Sequence, residues 1–230
     1  MNLLRNTCSE IQNIISENLD QILHLRGTKK LKEDDSYVSE GDLLCERLVI
    51  EYVTSLKKNI FILSEESENN DFSFDSYQYV LVIDPIDGTE NFVSGLKEWG
   101  IGLSFYDHHK HVMSMIGLPE LNMWMKSGDK IDTFKSRIHG LSSSLSKQNI
   151  LELEEGFEYR IIGCCMYNMY NVIRGSYSVF QNPKGAHCWD ILPGLNLALE
   201  NNCSVTVENK PYHGEFLYPN RKYRFRIEHQ

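Results

Sequence analysis

Asp84-Pro85-Ile86-Asp87-Gly88-Thr89 places two carboxylates three positions apart, directly after the apolar run Tyr79-Val80-Leu81-Val82-Ile83. The run reads as a buried strand that delivers Asp84 at its carboxyl end, a position suited to a catalytic residue. A strand breaking into Pro, Gly and Thr sets both acids on one tight turn, from which both can face a metal cluster. Mg2+ prefers hard oxygen ligands in octahedral geometry. Two or more such ions can hold a phosphate and lower the pKa of an attacking water. The plain alternative is that Asp, Pro, Gly and Thr are simply turn formers. Glu65 upstream and Asp190 downstream supply further carboxylates. These have plain alternatives too: Glu65 and Glu66 as solvated loop charges, and Asp42 and Asp190 as helix N-caps.

Other phosphate chemistries lack their residues. No Asp-x-Asp nucleophile, no Cys followed by five residues and Arg, and no Walker phosphate loop occurs in the chain. His108-His109-Lys110-His111 falls at an expected hairpin tip and reads as a solvated turn rather than a transition-metal site. The neighbours His187 and Cys188 suggest packing more than a nucleophile pair, and Trp99, Trp124 and Trp189 read as core or near-core residues.

The elements that must position these acids follow from periodicity. Apolar residues at steps of three and four make 3–25 an amphipathic helix ended by Gly27, and the pattern resumes over 42–58. Between them, 29–35 reads as a charged loop. Residues 60–63 form a short strand candidate and the acidic 65–75 a loop. Strands at 100–105 and 112–118 are expected to be joined by a polar hairpin loop, 106–111. Ser142, Ser143, Ser144 and Ser146 mark an exposed connection. A strand at 160–163, a helix at 164–173 and a strand at 177–181 precede an expected turn, Asn182-Pro183-Lys184-Gly185. Asp190 begins a helix to about 200, followed by strands at 204–207 and 223–227. Without repeats or low-complexity linkers, helices layered on sheets are the expected architecture.

Composition bounds the function class. At 230 residues, 41% apolar and 24% charged, the chain has the make-up of a soluble globular protein, and no apolar run reaches membrane-span length. Arg5, Glu10, Glu17 and Asp20 interrupt the N-terminal segment, so no signal-peptide core is expected there. Six cysteines without a CxxC pair fit reduced thiols in a cytoplasmic enzyme, and a zinc site is not expected. A net charge of -9 argues against direct nucleic-acid binding, while bound cations would still let an acidic site hold phosphate.

Four segments, in order, are Val38-Ser39-Glu40-Gly41-Asp42, Leu63-Ser64-Glu65-Glu66-Ser67, Asp84-Pro85-Ile86-Asp87-Gly88-Thr89-Glu90-Asn91-Phe92 and Gly185-Ala186-His187-Cys188-Trp189-Asp190. Through them the chain resembles the inositol monophosphatase superfamily of lithium-sensitive phosphatases. The resemblance implies an α/β (α+β) fold, a shortened layered αβαβα sandwich of the inositol monophosphatase and fructose-1,6-bisphosphatase type. It implies one domain over 1–230, with an α+β half to about 125 and an α/β half from about 126. It also implies a homodimer acting on a small phosphorylated metabolite.

By matching positions, Glu65, Asp84 and the Ile86 carbonyl would hold one Mg2+, Asp84, Asp87 and Asp190 a second, and Glu65 would touch a third. The N–H groups of Gly88 and Thr89 would hold phosphate oxygens, with Thr89 and Asp42 orienting and deprotonating the water. Family members usually run longer, and the shortfall falls between about 126 and 160 and at the C-terminus. The acid that binds a substrate hydroxyl in inositol-specific members is missing from Phe180-Gln181-Asn182-Pro183-Lys184. Gln181 and Lys184 become the substrate-binding candidates. Inositol monophosphate, 3′(2′),5′-bisphosphate nucleotides and histidinol phosphate are the substrate candidates. A regulatory protein of transcription or ribosome assembly, with dispensable phosphatase activity, is the reading from another class.

Overall fold

The strand carrying Asp84 is buried along nearly its whole length because partners cover both its edges and both its faces. The computed structural model of the chain describes residues 2–32, 37–66 and 76–230. In it β4 (Tyr79–Asp87) pairs in parallel with β3 (Ile60–Ser64) and antiparallel with β5 (Gly100–Asp107). The sheet continues antiparallel through β6 (Lys110–Leu118) and β7 (Met123–Lys126). Alternation sorts the side chains of β4. Leu81 and Ile83 join one core with Cys8, Ile11 and Ile15 of α1 (Asn2–Glu17) and Cys45, Val49 and Val53 of α3 (Glu40–Ser55).

On the opposite face, Val80 and Val82 join a second core with Met166 and Met169 of α6 (Cys165–Ile173) and Ile191 and Leu195 of α7 (Cys188–Glu200). The far side of these helices packs on a six-stranded sheet contributed by β8 (Ile138–Leu141), β9 (Glu158–Ile161), β10 (Val179–Ala186), β11 (Ser204–Val207), β12 (Lys210–Pro211) and β13 (Tyr223–Glu228), in the order β12-β11-β13-β10-β8-β9. Helices, sheet, helices and sheet therefore alternate as the expected layered sandwich. The short α5 (Lys147–Leu151) follows β8 and buries none of its residues.

Several local expectations are corrected. The first helix breaks at Asn18, whose side-chain amide donates to the Ile14 carbonyl at 2.8 Å, and α2 (Leu19–His24) follows. Within the expected charged loop, Lys29–Leu31 forms β1 and pairs with β2 (Tyr37–Ser39). All three residues of β1 are exposed, so no alternation marks it in the sequence. Residues 33–36, and 67–75 of the acidic loop, lie outside the described residues.

The expected six-residue hairpin loop is a two-residue turn at His108 and His109, both with positive φ, 45° and 65°. Tyr106 is fully buried, and His111 lies in β6 with Nε2 2.8 Å from Ser114 Oγ. Burial lowers the His111 pKa to about 4. The Asn182-Pro183-Lys184-Gly185 segment does not end a strand. It is a bulge inside β10, where Asn182 Oδ1 accepts the N–H groups of Lys184 and Gly185 at 3.2 and 2.9 Å. In the serine connection, Ser142 is buried, and Ser146 caps α5 by accepting the Asn149 N–H at 3.2 Å.

The helices α6 and α7 touch closely because Gly194 has no side chain: a Cβ there would lie 1.8 Å from Met169 Sδ. Gly194→Val should overpack this contact and cost about 1–3 kcal/mol in urea unfolding. Unchanged stability would show that the helices separate without penalty.

Candidate active site

Parallel pairing brings the first two acids together. Ser64 is in register with Ile83, and the Glu65 N–H donates to the Ile83 carbonyl at 3.3 Å, so Glu65 and Asp84 emerge side by side at the carboxyl ends of β3 and β4. In a regular strand Asp84 and Asp87 would point to opposite faces, being an odd number of residues apart. Between them the pairing with β5 slips, from Asp84 opposite Gly102 to Asp87 opposite Gly100. That bulge re-aims Asp87 toward the start of α6. There its Oδ2 accepts the Met166 N–H, and the Cys164 thiol donates to it at 3.0 Å. Gly88 then turns the chain with φ 82°, where a Cβ would lie 2.9 Å from Cys164 Cβ and 3.0 Å from the Gly163 carbonyl.

Helix caps aim the other two acids. Asp190 is the third residue of α7, and its Oδ2 accepts the His187 N–H at 2.7 Å. Asp42 is the third residue of α3, where its Oδ2 accepts the Ser39 N–H at 2.9 Å and its Oδ1 accepts from Thr89 Oγ1 at 3.2 Å. The cap role read as an alternative for these acids is thus present, yet one oxygen of each suffices for it. Thr89 opens α4 (Thr89–Val93) and also lies 3.0 Å from the Ile86 carbonyl.

Glu65, Asp84 and Asp190 each bring an oxygen within 4.8 Å of the others. Asp84 is fully buried, and neither of its oxygens has a hydrogen-bond partner among the described residues. Buried carboxylates are normally paired or bonded, so this arrangement suits a cation. Every donor in the cluster is oxygen, which fits a hard divalent ion. Burial, reinforced by the Glu65 carboxylate, holds the Asp84 and Asp190 carboxyls well above the usual range. Burial also raises Asp42 and Asp87 to about 6.

Three participants were missed from sequence. Lys32 Nζ bonds Glu65 at 3.1 Å and Glu66 at 2.6 Å, and burial raises Glu66 to about 7. The Cys164 thiol and the N–H at the start of α6 orient Asp87. Nothing in spacing links 32 to 65 or 164 to 87; only the pairing of distant strands and helices does so.

A cleft of about 190 Å³ opens beside Asp87 and Asp190, with Ser142, Gly163, Asn182 and Lys222 in its wall. Gln181 and Lys184 lie elsewhere. Gln181 Oε1 accepts from Arg226 Nη1 at 2.8 Å in a separate groove, and Lys184 is exposed without lining the cleft.

With this geometry in view, the relatives are informative. The model of the inositol monophosphatase family matches residues 2–226. The 3′(2′),5′-bisphosphate nucleotidase CysQ of Haemophilus influenzae is 30% identical over 125 residues, 53% of this chain and 46% of that protein. The chain thus spans about half the length of this curated relative. An IMPase/NADP phosphatase complexed with NADP and Ca2+ superposes with TM-score 0.84 at 18% identity, over 100% of this chain and 91% of that one. An IMPase/NADP phosphatase complexed with Mg2+ and phosphate gives 0.79 at 19%, over 100% and 90%. At such identities the superpositions establish the fold. With the family match running from residue 2 to residue 226, the chain belongs to the inositol monophosphatase family.

Proposed function

We propose that the protein hydrolyses a small-molecule phosphate monoester in a Mg2+-dependent reaction, by direct attack of water and without a phosphoenzyme. The observation that carries this is the pair of buried, unpartnered Asp84 oxygens beside Glu65 and Asp190. Family membership supports it. Glu65, Asp84 and the Ile86 carbonyl would hold one ion, Asp84, Asp87 and Asp190 a second, with Glu65 touching a third. Held by these residues, such ions would supply Lewis-acid chemistry for phosphate hydrolysis and offset the charge of the carboxylates.

The chain's own groups do the rest. The Thr89 hydroxyl has one proton for two acceptors, Asp42 Oδ1 and the Ile86 carbonyl. Donating toward Asp42 leaves its lone pairs to accept from the water, so a proton can pass to Asp42, whose pKa of about 6 suits a base near neutrality. As the first residue of α4, Thr89 has an N–H without an intrahelical partner, and with the Gly88 N–H it would receive phosphate oxygens. The Met166 N–H and the Cys164 thiol occupy Asp87 Oδ2, so that Oδ1 would remain for an ion.

Asp87→Asn and Asp190→Asn should each lower phosphate release by about 100-fold or more, with cooperative thermal unfolding preserved. Near-normal turnover in both purified variants would contradict the assignment. A Mg2+-dependent phosphate-release screen over inositol monophosphate, 3′,5′-bisphosphate nucleotides and histidinol phosphate identifies the substrate. Lithium should inhibit the active combination.

Ionisation gives a second expectation. Carboxyls with folded pKa values raised above the unfolded ones favour the folded state while protonated, and that contribution is lost as pH rises from about 4 through the folded values. Asp42 and Asp87 at about 6 and Glu66 at about 7 set the window. The increase in Tm caused by Mg2+ should therefore be small near pH 5 and grow toward pH 7.5. An equal increase at both pH values would contradict this.

A further inference from the structure

We infer that Glu120 is a positioning residue for the attack of water: with Arg26 and Trp99 it fixes the Phe92 ring, and through that ring it holds Thr89 within bonding distance of Asp42. The inference rests on the hydrolytic reading, in which Thr89 and Asp42 prepare the water.

The helix that carries Thr89 cannot hold its own place. α4 has five residues, Thr89–Val93, and a helix that short does not persist without tertiary packing. Its one buried side chain is Phe92, a turn after Thr89. The Phe92 N–H donates to the Gly88 carbonyl at 3.0 Å, so the ring and the turn at Thr89 move as one unit. The ring packs against α3. Gly41, the residue before Asp42, has no side chain, and a Cβ there would lie 2.8 Å from Phe92 Cε1 and Cζ. Phe92 is therefore wedged against the first turn of α3, and the 3.2 Å hydrogen bond from Thr89 to Asp42 joins the same two helices.

Two side chains from elsewhere hold the ring, and a third holds them. Trp99 meets Phe92 edge to face, with centroids 5.0 Å apart and planes at 73°, and the Arg26 guanidinium stands over the ring at 4.8 Å from its centroid. Glu120 lies in the single turn Pro119–Leu121 between β6 and β7. Its Oε2 accepts from Arg26 Nη2 at 2.6 Å and from Trp99 Nε1 at 3.0 Å.

Only 13% of the Glu120 side chain is exposed, and Arg26 Nε is buried with no hydrogen-bond partner among the described residues. The carboxylate is what keeps this guanidinium in place. Without its charge, the half-buried cation gains by turning out to water, and the Trp99 N–H loses a strong acceptor. Arg26 belongs to the turn Leu25–Gly27, next to Thr28, whose carbonyl accepts the Glu40 N–H at the start of α3 at 3.0 Å. Trp99 precedes Gly100, which is paired with Asp87. One carboxylate outside the cleft lining thus ties together the segments that lead to Asp42, Asp87 and Thr89.

Glu120→Gln keeps the shape and removes the charge. In Mg2+-dependent phosphate release its kcat should fall about tenfold, roughly one charge-assisted contact. KM and the calorimetric affinity for Mg2+ should stay within about twofold of the wild type, because substrate and ion binding do not depend on the water. In a crystal structure of the variant, Thr89 Oγ1 and Asp42 Oδ1 should stand beyond hydrogen-bond reach. A purely structural role predicts a lower Tm with kcat unchanged, or parallel losses in kcat, KM and Mg2+ affinity. Either result, or an intact bond between Thr89 and Asp42 in the variant, would overturn the inference. If Glu120→Gln does not fold, Arg26→Lys, which keeps an ion pair but not the planar group over Phe92, carries the same comparison. A wild type that releases phosphate from no substrate in the screen sinks the hydrolytic reading instead, and crystal structures of wild type and variant then decide whether Glu120 positions Thr89.

Discussion

A carboxylate with no exposed surface and no donor on either oxygen, set among other carboxylates, is the constraint around which this molecule is arranged. Asp84 is in that position, with Glu65 and Asp190 within a few ångströms. Isolated like charges in a low-dielectric setting either take up protons or acquire a cation. The raised pKa values of Asp84, Asp190, Asp87 and Asp42 express the first response. The all-oxygen ligand set expresses the second. Lys32, bridging Glu65 and Glu66, offsets part of the charge from the side, but it does not bond Asp84.

Each acid is held by an element that also has a structural reason to exist. The parallel β3–β4 register sets Glu65 beside Asp84, the bulge turns Asp87, and capping boxes fix Asp190 and Asp42. One oxygen of each capping acid bonds its helix end, and the second oxygen of Asp42 accepts from Thr89. Loss of such a residue would therefore touch both folding and chemistry, whereas a neutral amide of the same shape separates the two.

Much of the site was legible because its acids sit at element boundaries, where chemistry and turn formation leave local marks. The strand before Asp84, the turn after it and the helix at Asp190 could all be read from short windows. What was misread depended on long-range pairing. β1 carries only exposed residues, so its pairing with β2 leaves no periodicity. The Asn182-Pro183-Lys184-Gly185 segment has the composition of a turn, yet pairing with β13 keeps the chain in the strand as a bulge. That bulge orients Asn182 and leaves Gln181 on another surface, bonded to Arg226. Lys222 lay far from every motif in sequence and entered the cleft only through the fold.

Calorimetric titration of Mg2+ into the wild type and into Asp84→Asn, at pH 7.5, tests the central claim most directly. The wild type should bind about two or three ions per chain, and Asp84→Asn should lose at least one of them while remaining folded. Identical isotherms for the two proteins, or no binding by the wild type, would contradict the account.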